Sequence, residues 1–403
     1  MSVKAAILVG GPSRGTRFRP LSLDLPKPLF PIGGEPVIYH HLVQLSKVKE
    51  LNEVYLIGFF EDSVFAPFLN KVKADFPNLN VKYLREYQAM GTAGGIYHFR
   101  DEFRRGNPKQ IFVIHADVCA SLPFESIIED HNTSDRLCTI VGTKVSREEA
   151  KNYGCLVADS NTNEVLHYVE KPETFISDLI SCGVYLFDTS VFDEIKLAKE
   201  KVDTRDTHVA SDVLRLEQDL LQPLAGSKKI YVYSINTPWR QLSTASSAIP
   251  SNALYLEEMA KANSSLIAKN GEKAEIVGNV SIHPSATIGA NVKLGPNVSI
   301  GPNVVLEDGV RIRESIILDN VQVKSDACIV HSIIGWGSSI GRWVRIQGSF
   351  SDGHSTITKN GIKIQSTTIL GKEVKVKDEL IIRNCLVLPN KELKENFHNE
   401  ILM

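Results

Sequence analysis

No apolar run in this chain approaches 18 residues, the length a helix needs to cross a bilayer. The first residues show no cationic stretch followed by an apolar one, so no secretory signal pattern is read there. The six cysteines, at 119, 138, 155, 182, 328 and 385, have neither CxxC nor metal-ligand spacing. That excludes a zinc motif and a disulfide framework, and points to reduced thiols. Neither sign of charge is in excess, with 45 basic side chains against 47 acidic ones. Nucleic acid and anionic membrane are thereby set aside as dominant partners. Together these absences lead to the expectation of a cytoplasmic protein.

What is present falls into two halves. The 403 residues, 43% of them hydrophobic, suffice for two or three domains with their own cores. Up to about residue 240, strand-like runs ("AAILVG", "EVYLIGF", "VKYLREY", "IFVIHAD", "LCTIVGT", "GVYLFD") alternate with stretches at helical spacing such as "VIYHHLVQLSKVKE". Alternation of this kind predicts an α/β, Rossmann-like domain over 1–248, with a mostly parallel sheet covered on both faces. Ligands on such sheets sit beyond the carboxyl ends of the strands. Residues 249–274 read as a connecting helix and linker.

From 275 to 403 the period changes. Ile276, Ile282, Ile288, Leu294, Ile300, Leu306, Ile312 and Leu318 recur every six residues, and Gly289, Gly295 and Gly301 follow three of them. Ile334, Ile340 and Ile346 resume the spacing after a shift. One short strand plus a turn per six residues, three to a coil, describes a left-handed parallel β-helix, with glycine at the tight corners. The polar stretch "GSFSDGHSTITKNGIKIQS", 348–366, interrupts the pattern and is expected to be a loop inserted into the coil, suited to a partner contact.

One loop concentrates backbone freedom and positive charge. "LVGGPSRGTRFRPL", 8–21, follows the first strand with Gly10, Gly11 and Gly15 and with Arg14, Arg17 and Arg19. Glycines let backbone N–H groups approach an anion, and arginines supply charge-assisted bonds to phosphate. "LPKPL", 25–29, then clamps Lys27 between prolines.

This set resembles the signature of the sugar-nucleotide pyrophosphorylases, which join a sugar 1-phosphate to a nucleoside triphosphate and release pyrophosphate. The resemblance covers the whole chain. "YGCLVAD", "HYVEKPETFISDLI", "GPNVSIGP" and "HSIIGWGSSIGRW" are similar to the guanylyltransferase branch, and among these to the α-type subunits of the GDP-mannose pyrophosphorylases. The resemblance implies residue roles. Gly10, Gly11, Gly15, Thr16 and Arg17 would wrap a triphosphate, and Lys27 would face phosphate. Gly91 and Thr92 in "MGTAGG" would approach the base. Asp117 would bind magnesium. Gly154 would line the sugar pocket, Glu170 would hold sugar hydroxyls and Lys171 the sugar phosphate.

The pattern departs from active relatives in three places. Their second metal-binding aspartate lies in a Trp-x-Asp-like stretch; in "NTPWRQLSTASSA", alignment on Trp239 puts Gln241 there. Magnesium prefers hard anionic oxygens, so a bound ion would be weakly held. Losing one preorganised stabiliser of the transition state costs about 3–4 kcal/mol. The glycine-rich loop is also two residues longer than GGxGTRLRP, and Ser181 stands where many relatives place a sugar-contacting asparagine. Ground-state binding survives such changes more readily than catalysis. The resemblance to α-type subunits therefore implies a regulatory chain that holds GDP-mannose or GTP and assembles into homo- and hetero-oligomers with a catalytic β subunit.

Three alternatives stay open on sequence alone. The chain is itself an active mannose-1-phosphate guanylyltransferase using Arg17, Lys27 and Asp117; or it is a scaffold subunit of a translation-initiation exchange factor; or the β-helix transfers acyl groups with His283 or His331 as base.

Overall fold

A computed structural model describes residues 2–11, 16–205, 213–269, 274–349, 356–359 and 362–403. The chain separates into two units, 1–14 with 38–239, and 15–37 with 240–403. Gly15 lies outside the described residues, as do 350–355, 360 and 361 of the interrupting stretch.

The first unit is built on a nine-stranded sheet. Its main path runs Val165–Glu170, Gly154–Ala158, Leu179–Asp188, Gln110–His115, Val3–Gly10, Leu51–Gly58 and Asn80–Arg85. Cys138–Lys144 and Ile230–Ser234 extend it beside Leu179–Asp188. The strand–helix half of the sequence does form this layer, with helices α1 (Val37–Leu45), α2 (Asp62–Asp75) and α3 (Gly91–His98) in the crossovers. The sheet is mixed rather than mostly parallel. Val3–Gly10 pairs in parallel with both neighbours, but Leu179–Asp188 runs antiparallel to Gln110–His115 and to Cys138–Lys144. A hairpin, Gly154–Ala158 against Val165–Glu170, adds a further antiparallel pair. It closes through Asp159, whose carboxylate accepts from the Asn161 and Thr162 amides, and Asn163 takes a positive φ of 60°. The apolar centre packs Tyr55, Phe103, Val113, Tyr185 and Phe192 between sheet and helices.

The second unit is the left-handed β-helix. Two seven-stranded sheets and one six-stranded sheet run up its sides. The six-residue period fills the interior, with Leu294, Ile300, Leu306, Ile312, Ile334, Ile340 and Ile346 all buried. Each rung stacks on the next coil: Ile288 on Leu306, then Ile300 on Ile317 and Leu306 on Val323. The coil thus shortens from 18 residues to 17, which is the shift seen in the sequence. Ile334 stacks on Leu370, 36 residues on. Within that long step, Thr356–Lys359 and Ile362–Gln365 form an antiparallel ribbon outside the coil.

Glycine does take corners of the coil, as at Gly295 with φ of 105°, but it shares that task with asparagine. Asn291, Asn297 and Asn303 take the left-handed corners, with φ of 56°, 58° and 55°. Asparagine tolerates that region by local hydrogen bonding. Gly289 is needed for close approach, because a Cβ there would fall 2.6 Å from Asp308 Oδ1 of the neighbouring coil. Segment 15–37 belongs to this unit. Phe30 sets its ring edge-on to Trp336 at 6.1 Å and to Phe18 at 5.1 Å. Asn252, in the helix Ala248–Lys261, accepts from the Gly33 amide at 2.8 Å and from Ser299 Oγ at 2.7 Å. Among the described residues no helix is long and apolar enough to cross a membrane.

Candidate functional site

The carboxyl ends of Val3–Gly10 and Leu51–Gly58 open into a cleft of about 440 Å³. Its lining brings together six of the residues singled out by sequence, Gly10, Gly11, Gly91, Thr92, Glu170 and Lys171. Gly10 turns the chain at φ +73°, and its carbonyl accepts from the Phe59 amide at 2.8 Å. Gly11 lies so close to Phe59 that a Cβ would sit 2.9 Å from that side chain. A larger hollow of about 580 Å³ lies at the amino end of Leu51–Gly58, around Asn52, Lys73 and Phe76. Its lining is polar too, with Asn52, Glu53, Asn70, Lys73, Asn78 and Asn80, but it holds none of the residues singled out by sequence.

At one side of the cleft, Gly91 begins α3 with φ +77°, and a Cβ there would collide with the Leu214 carbonyl. That carbonyl accepts from the Ala93 and Gly94 amides at 3.0 and 3.2 Å, while the Leu214 amide donates to Met90 O at 2.8 Å. Thr92 Oγ1 accepts from the Leu216 amide at 2.8 Å. Glu86 also lines the cleft, pressed against Gly95 of α3.

The opposite side is a hydrogen-bonded polar wall. Tyr168 donates to Glu170 Oε2 at 3.1 Å. A Cβ on Gly154 would collide with the Tyr168 hydroxyl and fall 2.8 Å from Glu170 Oε2, so only glycine leaves that carboxylate in place. Lys171 holds a positive φ of 48° and its ammonium lies 3.4 Å from Glu170. Ser181 Oγ is buried and donates to Tyr185 Oη at 3.3 Å, and Tyr185 donates in turn to Glu217 Oε1 at 3.3 Å.

Glu217 is the residue that sequence reading missed. Its side chain is only 14% exposed, and His115 Nε2 stands 3.1 Å from Oε1. The ring N–H is not aimed squarely at the oxygen, so the contact is an ion pair more than an aligned hydrogen bond. Burial alone would neutralise both partners, yet the pairing prevails. Glu217 is held below the ordinary carboxylate range by His115, and His115 is raised by Glu217. Burial and the adjacent carboxylates push the Tyr168 and Tyr185 phenols well up, so both remain protonated donors. Arg215 and Gln218 complete the lining. Glu217, Arg215 and Gln218 belong to none of the motifs quoted above; the local signals nearby were His115, two residues before Asp117 in "IFVIHAD", and Tyr168 in "HYVEKP".

Asp117 follows the strand Gln110–His115, and its charge reaches both His115 and the fully buried His41 of α1. Thr16 and Arg17, in the turn Thr16–Phe18, and Lys27, in the turn Lys27–Leu29, belong to the second unit, as does Gln241. Trp239, on which Gln241 was aligned, is fixed in the first unit by its Nε1 donating to Cys182 O at 3.1 Å. All six cysteines are free. Of the two histidines considered for acyl transfer, His283 is exposed, whereas His331, at a left-handed corner with φ of 49°, is buried beside Glu314.

Comparison with known proteins agrees with this architecture. The family described as Nucleotidyl transferase matches residues 4–227, and that described as GMPPB C-terminal domain matches 276–402. The chain is 47% identical over its full length to a probable mannose-1-phosphate guanyltransferase of Schizosaccharomyces pombe, covering all of that protein. It is 46% identical, again over its full length, to the mannose-1-phosphate guanylyltransferase regulatory subunit alpha of Dictyostelium discoideum, covering 99% of it. The Xenopus tropicalis protein of the same name is 44% identical with full coverage of both chains. A putative glucose-1-phosphate thymidylyltransferase from Bacillus anthracis shares the fold, with a TM-score of 0.52 and 19% identity over 63% of this chain and 95% of that one. With a nucleotidyltransferase sheet, a β-helix and full-length relatives at this identity, the chain belongs to the mannose-1-phosphate guanylyltransferase family.

Proposed function

We propose that this chain is the regulatory subunit of a cytoplasmic mannose-1-phosphate guanylyltransferase, holding GDP-mannose and controlling a catalytic beta-type partner by feedback. The observation that supports the reading is a cleft gathering Gly10, Gly11, Gly91, Thr92, Glu170 and Lys171 in a chain with Gln241 at the place expected for a metal-binding aspartate. Each part of a nucleotide sugar has a chemical counterpart there. A carboxylate such as Glu86 suits the adjacent N–H donors on the edge of guanine. Lys171 and Arg215 supply cations for the two phosphates. Glu170 and Glu217 accept from sugar hydroxyls. Full-length relatives named as regulatory subunits support the same assignment.

Catalysis asks for more than the cleft. A magnesium ion would offset the charge that accumulates as the sugar phosphate attacks and pyrophosphate leaves. Among the described residues no three His, Cys, Asp or Glu side chains gather as a metal cage. Magnesium bound through substrate phosphates needs only one or two carboxylates, so Asp117 is the residue that would hold it. The second anionic ligand is replaced by a neutral amide oxygen, which weakens the ion's hold and slows the chemistry.

Purified chain given GTP, mannose 1-phosphate and magnesium should release pyrophosphate at least a hundredfold more slowly than a catalytic relative, yet bind GDP-mannose in a calorimeter. Release at an ordinary enzymatic rate would instead establish the second reading, an active guanylyltransferase, which the name of the Schizosaccharomyces pombe relative favours. Regulation is tested by assaying a co-expressed catalytic partner with and without this chain as GDP-mannose rises; coupling between the sites must be reciprocal. Deleting 350–365 should leave the β-helix folded and weaken that coupling, and unchanged inhibition would remove the insertion as the partner contact.

A further inference from the structure

Resting on the reading of the cleft as a nucleotide-sugar site, we propose that Thr92 is a positioning residue for Glu217. It makes the sugar side of the cleft depend on the nucleotide side, instead of contacting the base itself. The polar groups in the first turn of α3 are already engaged within the protein. The amides of Ala93 and Gly94, in the first turn, are taken by the Leu214 carbonyl. They are therefore not presented to a ligand. The Thr92 hydroxyl is likewise committed: it accepts from the Leu216 amide at 2.8 Å and lies 3.5 Å from Glu217 Oε2. Leu214 and Leu216 are buried, so neither backbone group has water as a substitute partner.

The stretch Leu214–Glu217 is thus a strap fastened to α3 at three places, and Glu217 is its last residue. On its far side the same carboxylate is held by Tyr185 and His115. Below it, Asp219 accepts from the Arg215 amide at 2.7 Å and from Arg215 Nε at 3.2 Å. Glu217 can move only if α3 or the Tyr185 strand gives way. A ligand that orders α3 through its nucleotide end therefore also sets the acceptor that its sugar end meets. A diphosphate without the sugar gains nothing from that alignment.

The test uses calorimetric titration of the full chain with GDP-mannose and with GDP. Thr92→Val keeps the size and branching of the side chain and removes the hydroxyl. It should weaken GDP-mannose at least tenfold while GDP changes by less than twofold. Thr92→Ser, which restores the hydroxyl, should bring GDP-mannose back to within about threefold of the parent. Tyr185→Phe removes the other hydroxyl donor to Glu217 without touching α3. It should give the same selective loss, and it stands in for Thr92→Val should that variant fail to fold. Equal losses for both ligands, or no loss for either, overturn the proposal. A parent chain that binds neither ligand overturns the nucleotide-sugar reading instead, and this inference falls with it.

Discussion

His131 should make the first unit acid-sensitive to a calculable degree. Its ring is 3% exposed, at the end of the helix Phe124–His131, and Nδ1 shares a 2.8 Å hydrogen bond with Thr139 Oγ1. Burial, then the positive charge of Arg136, lowers its pKa to about 4, from 6.5 for the free side chain. The ring is neutral in the fold and takes a proton readily once unfolded. As pH falls from 6.5 towards 4 the unfolded state binds the extra proton, so stability falls with pH and is fully present above 6.5. At pH 4.5 the loss from this one residue is about 2.5 kcal/mol relative to pH 7.5. His131→Asn keeps a polar atom near the Nδ1 position and abolishes the titration. The assay is hydrogen exchange by mass spectrometry across Cys138–Lys144, corrected for intrinsic exchange at each pH, which reports the opening free energy of this unit. The parent should lose about 2.5 kcal/mol more than the variant between pH 7.5 and 4.5. Identical slopes would refute the reasoning, because carboxylate titration is common to both chains.

Other outcomes follow from particular contacts. Gly154→Ala should leave the fold intact to within a few degrees of Tm and reduce GDP-mannose affinity more than tenfold by calorimetry, since its methyl group displaces Tyr168 or Glu170. Lys4, in the strand Val3–Gly10, is buried, 2.6 Å from Glu53 and donating to Glu102 O at 2.8 Å. Lys4→Met should destabilise the first unit by about 1–2 kcal/mol, since the quarter-exposed Glu53 loses its cation but keeps the Tyr55 hydroxyl as donor, read as a lower unfolding midpoint in urea. In the second unit, Asn252→Ala should cost about 2 kcal/mol by orphaning the Gly33 amide and Ser299 hydroxyl, read as a lower unfolding midpoint in urea.

The β-helix was legible because its rule is local. An apolar residue every sixth position fixes which side chains turn inward, and the rungs Leu294, Ile300 and Leu306 need no knowledge of distant chain. Its corners were read in part: Gly295 takes one as expected, but glycine and asparagine recur with the same period, and only the stacked coils separate close approach at Gly289 from left-handed φ at Asn291. In the first unit, the hairpin Gly154–Ala158 with Val165–Glu170 escaped notice as strands because "HYVEKPE" mixes charge into a short run. The cleft was half legible. Gly91, Thr92, Glu170 and Lys171 stand in compact motifs, whereas Glu217 sits in "LRLEQDLL", which reads as an ordinary amphipathic turn. Its meaning arises only when the sheet carries His115 and Tyr185 to it from strands that are remote in sequence.

The uneven steps of the β-helix have a consequence for how such a chain can change. Rungs 18, 17 and 36 residues apart meet with the same parallel pairing, because backbone ladders at each side, not residue count, hold one storey above the next. Length is therefore free to vary at any corner whose excess chain pairs with itself and not with the ladders, as Thr356–Lys359 and Ile362–Gln365 do. A new appendage can be grafted at a landing of this staircase without moving a single step.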